Sequence, residues 1–188
     1  MADERIALVP LKTVLFPGGL LPLRIFEARY LDMIGRCLKG EQQFGVLMIV
    51  EGAEVGWART AEFGTLAEIV DWHQEADGLL GIVVAGLERF RLVETSLLED
   101  GLYVGRVEML AHPPKCPLPA RYAHLARLLR QVRERLGVPR REDEDYEDAW
   151  WVSYRLAEIL PISLEDRQSC LEMADPIARL DKLGGSLN

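Results

Sequence analysis

Thr13-Val14-Leu15-Phe16-Pro17-Gly18-Gly19-Leu20-Leu21-Pro22-Leu23-Arg24-Ile25-Phe26-Glu27-Ala28-Arg29-Tyr30 decides the reading of this chain. Pro17-Gly18-Gly19 stops any regular element, because proline removes a donor and glycine opens positive φ without steric cost. Val14-Leu15-Phe16 before it and Leu20, Leu21, Leu23 and Ile25 after it are apolar on both faces. Such runs suit strands buried on both sides or the wall of a closed barrel. From Glu27 the period changes. Tyr30, Leu31, Ile34 and Leu38 recur every three to four residues, which predicts a helix with one apolar face, closed by Gly40.

Outward from that stretch, residues 5–110 read mainly as strands. Gln43-Phe44-Gly45-Val46-Leu47-Met48-Ile49-Val50, Gly64 onward to Trp72, the β-branched run after Leu79, and Leu102 onward to Leu110 are separated by Gly-rich turns at Gly56, Gly78 and Gly101. Gly86 is expected to mark a bulge or bend. Frequent strands with one inserted helix predict a small closed or half-closed β-barrel. Residues 111–119 hold Pro113, Pro114, Pro117 and Pro119 and read as a stiff linker. Residues 120–188 then read as helices. Tyr122, Leu125, Leu128, Leu129, Val132 and Leu136 form one stripe, and a second helix runs from about Tyr146 to Leu160. Ser163 and Asp175-Pro176 carry the start signals of two more.

Composition narrows the function. With 49% apolar residues the 188-residue chain can bury a proper core, and its net charge of -8 repels phosphate backbones. The arginines at 121, 127, 130, 133 and 135 are followed at once by an acidic run, so they are expected to neutralise one another rather than bind nucleic acid. No secretory leader or membrane-length apolar run is visible, so a cytoplasmic location is expected. Cys37, Cys116 and Cys170 form neither a disulfide framework nor a metal motif, and His73, His112 and His124 lie far apart. Phosphate-cradling loops and nucleophile elbows are missing as well. The expectation is therefore a protein without enzymatic activity, cofactor or metal. Arg24, Glu27, Arg29 and Arg89 read as an ion-pair set locking the helix to the barrel, with peptide or carboxylate binding as the alternative. Trp57 sits in a loop-like stretch where it can cap the barrel, and Trp150 and Trp151 point about 100° apart on one helix, so the two cannot face the same core equally.

Several of these segments resemble the N-terminal, substrate-binding domain of Lon proteases. They are Val9-Pro10-Leu11, Leu21 through Tyr30, Phe44-Gly45-Val46, Gly64 through Ile69, Gly86-Leu87-Glu88-Arg89-Phe90, and in the tail Arg167 through Glu172 and Ala178-Arg179-Leu180. Ala28 stands where that family usually has proline, and Ser169-Cys170 where it usually has a more aliphatic pair. The resemblance implies an α+β fold: a PUA-like β pseudo-barrel with an inserted helix over residues 1–110, a Pro-rich linker over 111–119, and a C-terminal helical bundle over 120–188. It also implies a stand-alone bacterial member of the peptidase S16 kin, without the ATPase and protease domains of Lon. The expected function is binding of unfolded or extended polypeptide, in a substrate-recognition or adaptor role beside a protease or chaperone partner, with a homo-oligomer among the expected states. The groove between barrel and bundle is the expected binding place, and Phe16, Arg24, Phe26, Arg29, Tyr30 and Trp57 are its candidate residues. An RNA- or small-molecule-binding PUA-like module is the alternative. Cereblon shares the domain, but this chain has no CxxC pair, so cereblon's zinc-domain ligand binding is not expected here.

Overall fold

The computed structural model describes residues 3–187, which fall into two compact units divided between His112 and Pro113. The first unit carries β1 (Asp3–Leu11), β2 (Leu20–Ile25), α1 (Ala28–Leu38), β3 (Phe44–Gly52), β4 (Ala58–Gln74), β5 (Leu80–Leu97) and β6 (Tyr103–Met109). The strands run in the order β2-β5-β4-β3-β1-β6, and β5 pairs again with β6. That second pairing closes β5-β4-β3-β1-β6 into a barrel and leaves β2 hydrogen-bonded to the first part of β5. β1 and β3 are parallel, so the chain between them must cross over, and the crossover consists of β2 and α1.

The apolar residues on both faces of the wall have two destinations. Ala7, Val9, Phe44, Val46, Ile82 and Val84 face outward beneath Tyr30, Met33 and Ile34 of α1. Their neighbours Ile6, Leu8, Leu47, Leu66, Phe90 and Val107 face inward and fill the barrel. Successive residues of one strand thus belong to different cores, which is the period of two expressed in a wall buried on both sides. The Phe90 ring occupies so much of the interior that Gly64 can carry no side chain: a Cβ there would lie 2.5 Å from the Val46 carbonyl oxygen and 2.6 Å from the ring.

In this unit one expectation changes in detail. Leu15 and Phe16 are buried and Val14 is half-buried, but the run joins no strand. Its carbonyls are met outside any ladder: Thr65 Oγ1 donates to the Leu15 carbonyl and the Gly19 amide donates to the Phe16 carbonyl, while the following Gly18 and Gly19 exchange bonds with Gly86. β5 runs as one long strand, and Gly86 opens the irregularity expected of it. Thr65 pairs with Arg89 while Ala67 pairs with Gly86, so two residues of β5 oppose Leu66.

The second unit contains α2 (Ala123–Arg135), preceded by a single 3-10 turn, then α3 (Ala149–Ile159), α4 (Leu164–Glu172) and α5 (Pro176–Gly185). α3 is central. It is buried almost all round and touches α2, α4 and α5. It starts at Ala149, three residues later than the apolar pattern suggests, because Asp148 caps it by accepting from the Trp150 amide at 3.1 Å. Ser163 and Asp175 cap α4 and α5, as their start signals predict. The Pro-rich segment is held within this unit: Leu118 donates to the Glu147 carbonyl, and Ala149 donates to Cys116. The basic helix and the acidic run pair in part, through Arg133–Glu144 at 2.7 Å, while Lys115–Asp145 lies at 2.5 Å and Arg141–Asp143 at 2.8 Å. Among the described residues no helix is long and apolar enough to cross a membrane.

Candidate binding site at the barrel mouth

The barrel opens at the end where β1, β3 and β5 finish and where β4 and β6 begin. There a cavity of about 240 Å³ is lined by Leu8 and Pro10, Leu47, Ala58 and Thr60, Leu92 and Thr95, and Tyr103, one group from each strand of the closed wall. Leu8, Leu47 and Leu92 belong to or pack against the barrel's inner core, so the cavity is a continuation of that core to the surface. Mouths of barrels are common ligand sites because the closed scaffold holds an apolar concavity preformed there. Trp57 stands at the rim with 63% of its surface exposed. Arg59 beside it pairs with Glu51 across the β3–β4 ladder at 3.4 Å.

The loop that carries Trp57 is fastened from two sides. Arg29, at the start of α1, donates through Nη2 to the Glu54 carbonyl at 3.3 Å and through Nη1 to the Gly101 carbonyl at 2.5 Å. Its Nε lies 2.9 Å from Glu27 Oε2. The Lys12 amide donates to Glu54 Oε1 at 2.9 Å. One guanidinium therefore joins the helix to the β3–β4 loop and to the β5–β6 turn, which is what a planar fork of donors does well. Tyr30 lies under the same guanidinium, with the ring centroid 4.6 Å from Arg29 Cζ. Burial pushes the Tyr30 hydroxyl up to about 12, and among the described residues that enclosed hydroxyl has no hydrogen-bond partner.

Of the residues named from sequence, Arg29, Tyr30 and Trp57 converge around this loop. Phe16 lies in the core at 1% exposure and presents no surface. Arg24 pairs with Asp77 in the β4–β5 turn rather than with Glu27, so the four charges considered together do not form one set. Phe26 is exposed between β2 and α1 and does not line the mouth. Trp150 is buried against Tyr154, while Trp151 is half-buried, which answers how the two tryptophans divide. The lining residues Leu8, Leu47, Leu92 and Tyr103 were missed. Alternation puts them on inward faces, but nothing in a strand's own pattern says which of its inward positions lies at an open end. Among the described residues no cluster of three or more His, Cys, Asp or Glu could hold a metal ion.

A closed β-wall with a helical crossover, followed by a helical unit around one buried helix, defines an α+β binding domain of the Lon N-terminal type. The chain matches the ATP-dependent protease La (LON) substrate-binding domain over residues 5–188 and belongs to that family. It is similar to a Lon N-terminal domain protein from Xanthomonas campestris, at 33% identity and a TM-score of 0.82, covering 97% of this chain and 98% of that one. It is 29% identical to Lon protease 2 of Myxococcus xanthus over 92% of this chain and 22% of the relative. It is also 32% identical to protein cereblon of Xenopus tropicalis over 57% of this chain and 24% of the relative. The chain thus spans between about a fifth and a third of the curated relatives it matches. The N-terminal domain of Mycobacterium avium complex Lon protease shares the fold, with a TM-score of 0.67 at 18% identity.

Proposed function

We propose that this domain recognises protein substrates by taking one large apolar side chain of an extended polypeptide into the barrel mouth, with Trp57 folding over it. The observation that carries the reading is the cavity itself: an opening of about 240 Å³, walled by leucine, proline and tyrosine, with an exposed tryptophan at its rim. A side chain entering it exchanges water for hydrocarbon, which is worth roughly 1.5–3 kcal/mol for a leucine or phenylalanine. Such an anchor is modest in affinity and tolerant of sequence, as recognition of many unfolded chains requires. Membership of the Lon substrate-binding family supports protein as the ligand class, and the net charge of -8 argues against nucleic acid. In this role the domain is a recognition or adaptor module and performs no chemistry.

The test is binding of a fluorescently labelled, permanently unfolded polypeptide, read by anisotropy. Trp57→Ala removes the rim, and Ala58→Trp fills the mouth with its own side chain. Each is expected to weaken binding about tenfold, the loss of one buried apolar anchor. Phe26→Ala, which removes an exposed aromatic away from the mouth, is expected to leave it unchanged. Wild-type binding by both mouth variants would refute the reading.

A further inference from the structure

The helical unit holds a second cavity, of a different chemistry from the mouth. It has a volume of about 250 Å³ and lies between the last turns of α2 and the segment that follows, bordered by Arg130, Arg133, Glu134, Val138, Arg140, Glu144 and Tyr146. In a chain of net charge -8, three guanidinium groups around one concavity form a local field of opposite sign.

The carboxylates nearby do not cancel it. Glu144 is used by Arg133, whose Nη2 donates to Oε1 at 2.7 Å, and the same oxygen accepts from the Arg141 amide at 3.1 Å. Burial alone would raise the Glu144 carboxyl, but the Arg133 and Arg141 donors outweigh it and hold the group below its usual range. Glu134 remains as the single opposing charge on the rim. Among the described residues, neither Arg130 nor Arg140 has a carboxylate partner. Arg133 is only 8% exposed, yet it gives one hydrogen bond to protein from a head that carries five N–H donors. A buried guanidinium with donors left over at a cavity wall is a group awaiting an acceptor.

Two of the three heads are also held in place beforehand. Arg130 lies over the Tyr146 ring at 4.5 Å, and Arg133 over the Trp151 ring at 5.6 Å. The two rings meet edge to face at 4.8 Å and 64°. The arginines one helical turn apart are thus each stacked on one member of an aromatic pair. Stacking fixes long side chains that would otherwise lose much rotamer freedom on binding.

We infer that this cavity is an oxyanion site, which takes a carboxylate or phosphate group between Arg130, Arg133 and Arg140. Its volume equals roughly eight waters' share of liquid, enough for a small polycarboxylate, a phosphate or the end of a peptide chain. Guanidinium forks suit both kinds of group, because each offers two oxygens in one plane.

Calorimetric titration of the intact chain at low salt tests this, with inorganic phosphate, with succinate, and with a short peptide in free-acid and C-terminally amidated forms. Saturable one-to-one binding of at least one oxyanion is expected, and the probe that binds identifies the source of the group. The amidated peptide is expected not to bind, and raising the salt is expected to weaken every positive case. Arg140→Gln should lower affinity about tenfold, the loss of one charge-assisted donor. Arg127→Gln, an exposed arginine of the same helix outside the cavity, should leave it unchanged. Arg140 holds no other element, so its variant should keep the thermal transition of the parent, and that transition is measured alongside. The inference is overturned if no oxyanion binds saturably, or if Arg140→Gln and Arg127→Gln weaken binding equally.

Discussion

Arg179 shows how much one residue can organise. It is fully buried in α5 and donates through Nε to the Cys170 carbonyl at 2.7 Å, through Nη1 to Ser153 Oγ at 2.8 Å and through Nη2 to the Met173 carbonyl at 2.5 Å. Cys170 lies in the last turn of α4 and Met173 is its C-cap, where backbone acceptors have no helical partner. Its guanidinium also lies over the rings of Trp150 and Tyr154, at 4.8 and 4.0 Å. A lysine keeps the charge but has neither the planar fork nor the stacking face. Arg179→Lys is therefore expected to lower unfolding stability by about 3 kcal/mol, the scale of breaking a buried charge network. Chemical denaturation of the two proteins measures it; a loss below about 1 kcal/mol, within the range of an ordinary surface change, would mean the site relaxes around the ammonium.

At the scale of elements, Asp148 serves two at once. Its Oδ1 accepts from the Trp150 amide to cap α3, and from the Cys116 amide at 3.2 Å to hold the proline-rich segment. Asp148→Ala orphans both amides and is expected to cost about 2 kcal/mol, one cap plus one partly buried donor. Asp148→Asn keeps an acceptor and should lose less than half of that. Equal losses would assign the effect to charge rather than to capping. Asp148 was not read as a cap, but signals of its kind are local, and that is why the starts of α4 and α5, the positive-φ turns at Gly78 and Gly101 and the alternation of the barrel wall were legible. What stayed hidden depends on distant parts of the chain. Val14-Leu15-Phe16 has the composition of a strand, but Leu15 is met by the Thr65 hydroxyl fifty residues away, and the turn that follows it by Gly86, nearly seventy residues away. The pairing of β1 with β6, about a hundred residues apart in the chain, joins the β5–β6 hairpin to the rest of the sheet, closes the barrel and so creates the mouth, and no short window of sequence contains it. Arg29 and Trp57 were visible as candidates, but the Glu54 carbonyl that links them was not.

Across the whole molecule, the titrating groups divide between the two units. Among the described residues, three carboxyls after Pro113 are held below their usual range. Lys115 lowers Asp145, Lys182 and the Ser163 hydroxyl lower Asp166, and Glu144 is lowered against its own burial. A carboxylate depressed by folding contributes stability that is complete above its unfolded pKa and is lost as pH falls through the folded one. With ordinary values of 4.5 and 3.8 for these groups, the helical unit should weaken progressively as pH falls below about 4.5. Glu158 is raised by burial beside Arg155 and offsets part of this, since its protonation favours the folded state. The barrel unit carries the opposite sign. Tyr30 is pushed up to about 12 and Cys37 to about 11, both by burial, so their contribution is complete below the unfolded values of 10.0 and 9.0 and is lost as pH rises through the folded ones. Cys170 is raised too, so alkaline loss is shared between the units. Amide exchange followed residue by residue should therefore show protection vanish from residues 113–187 in acid while residues 3–112 keep theirs. Tryptophan emission should shift to the red in the same step, because Trp150 is buried in the helical unit while Trp57 and Trp72 are already exposed. Loss of barrel protection first, or of both units together, would show that acid stability is set elsewhere than in these carboxylates.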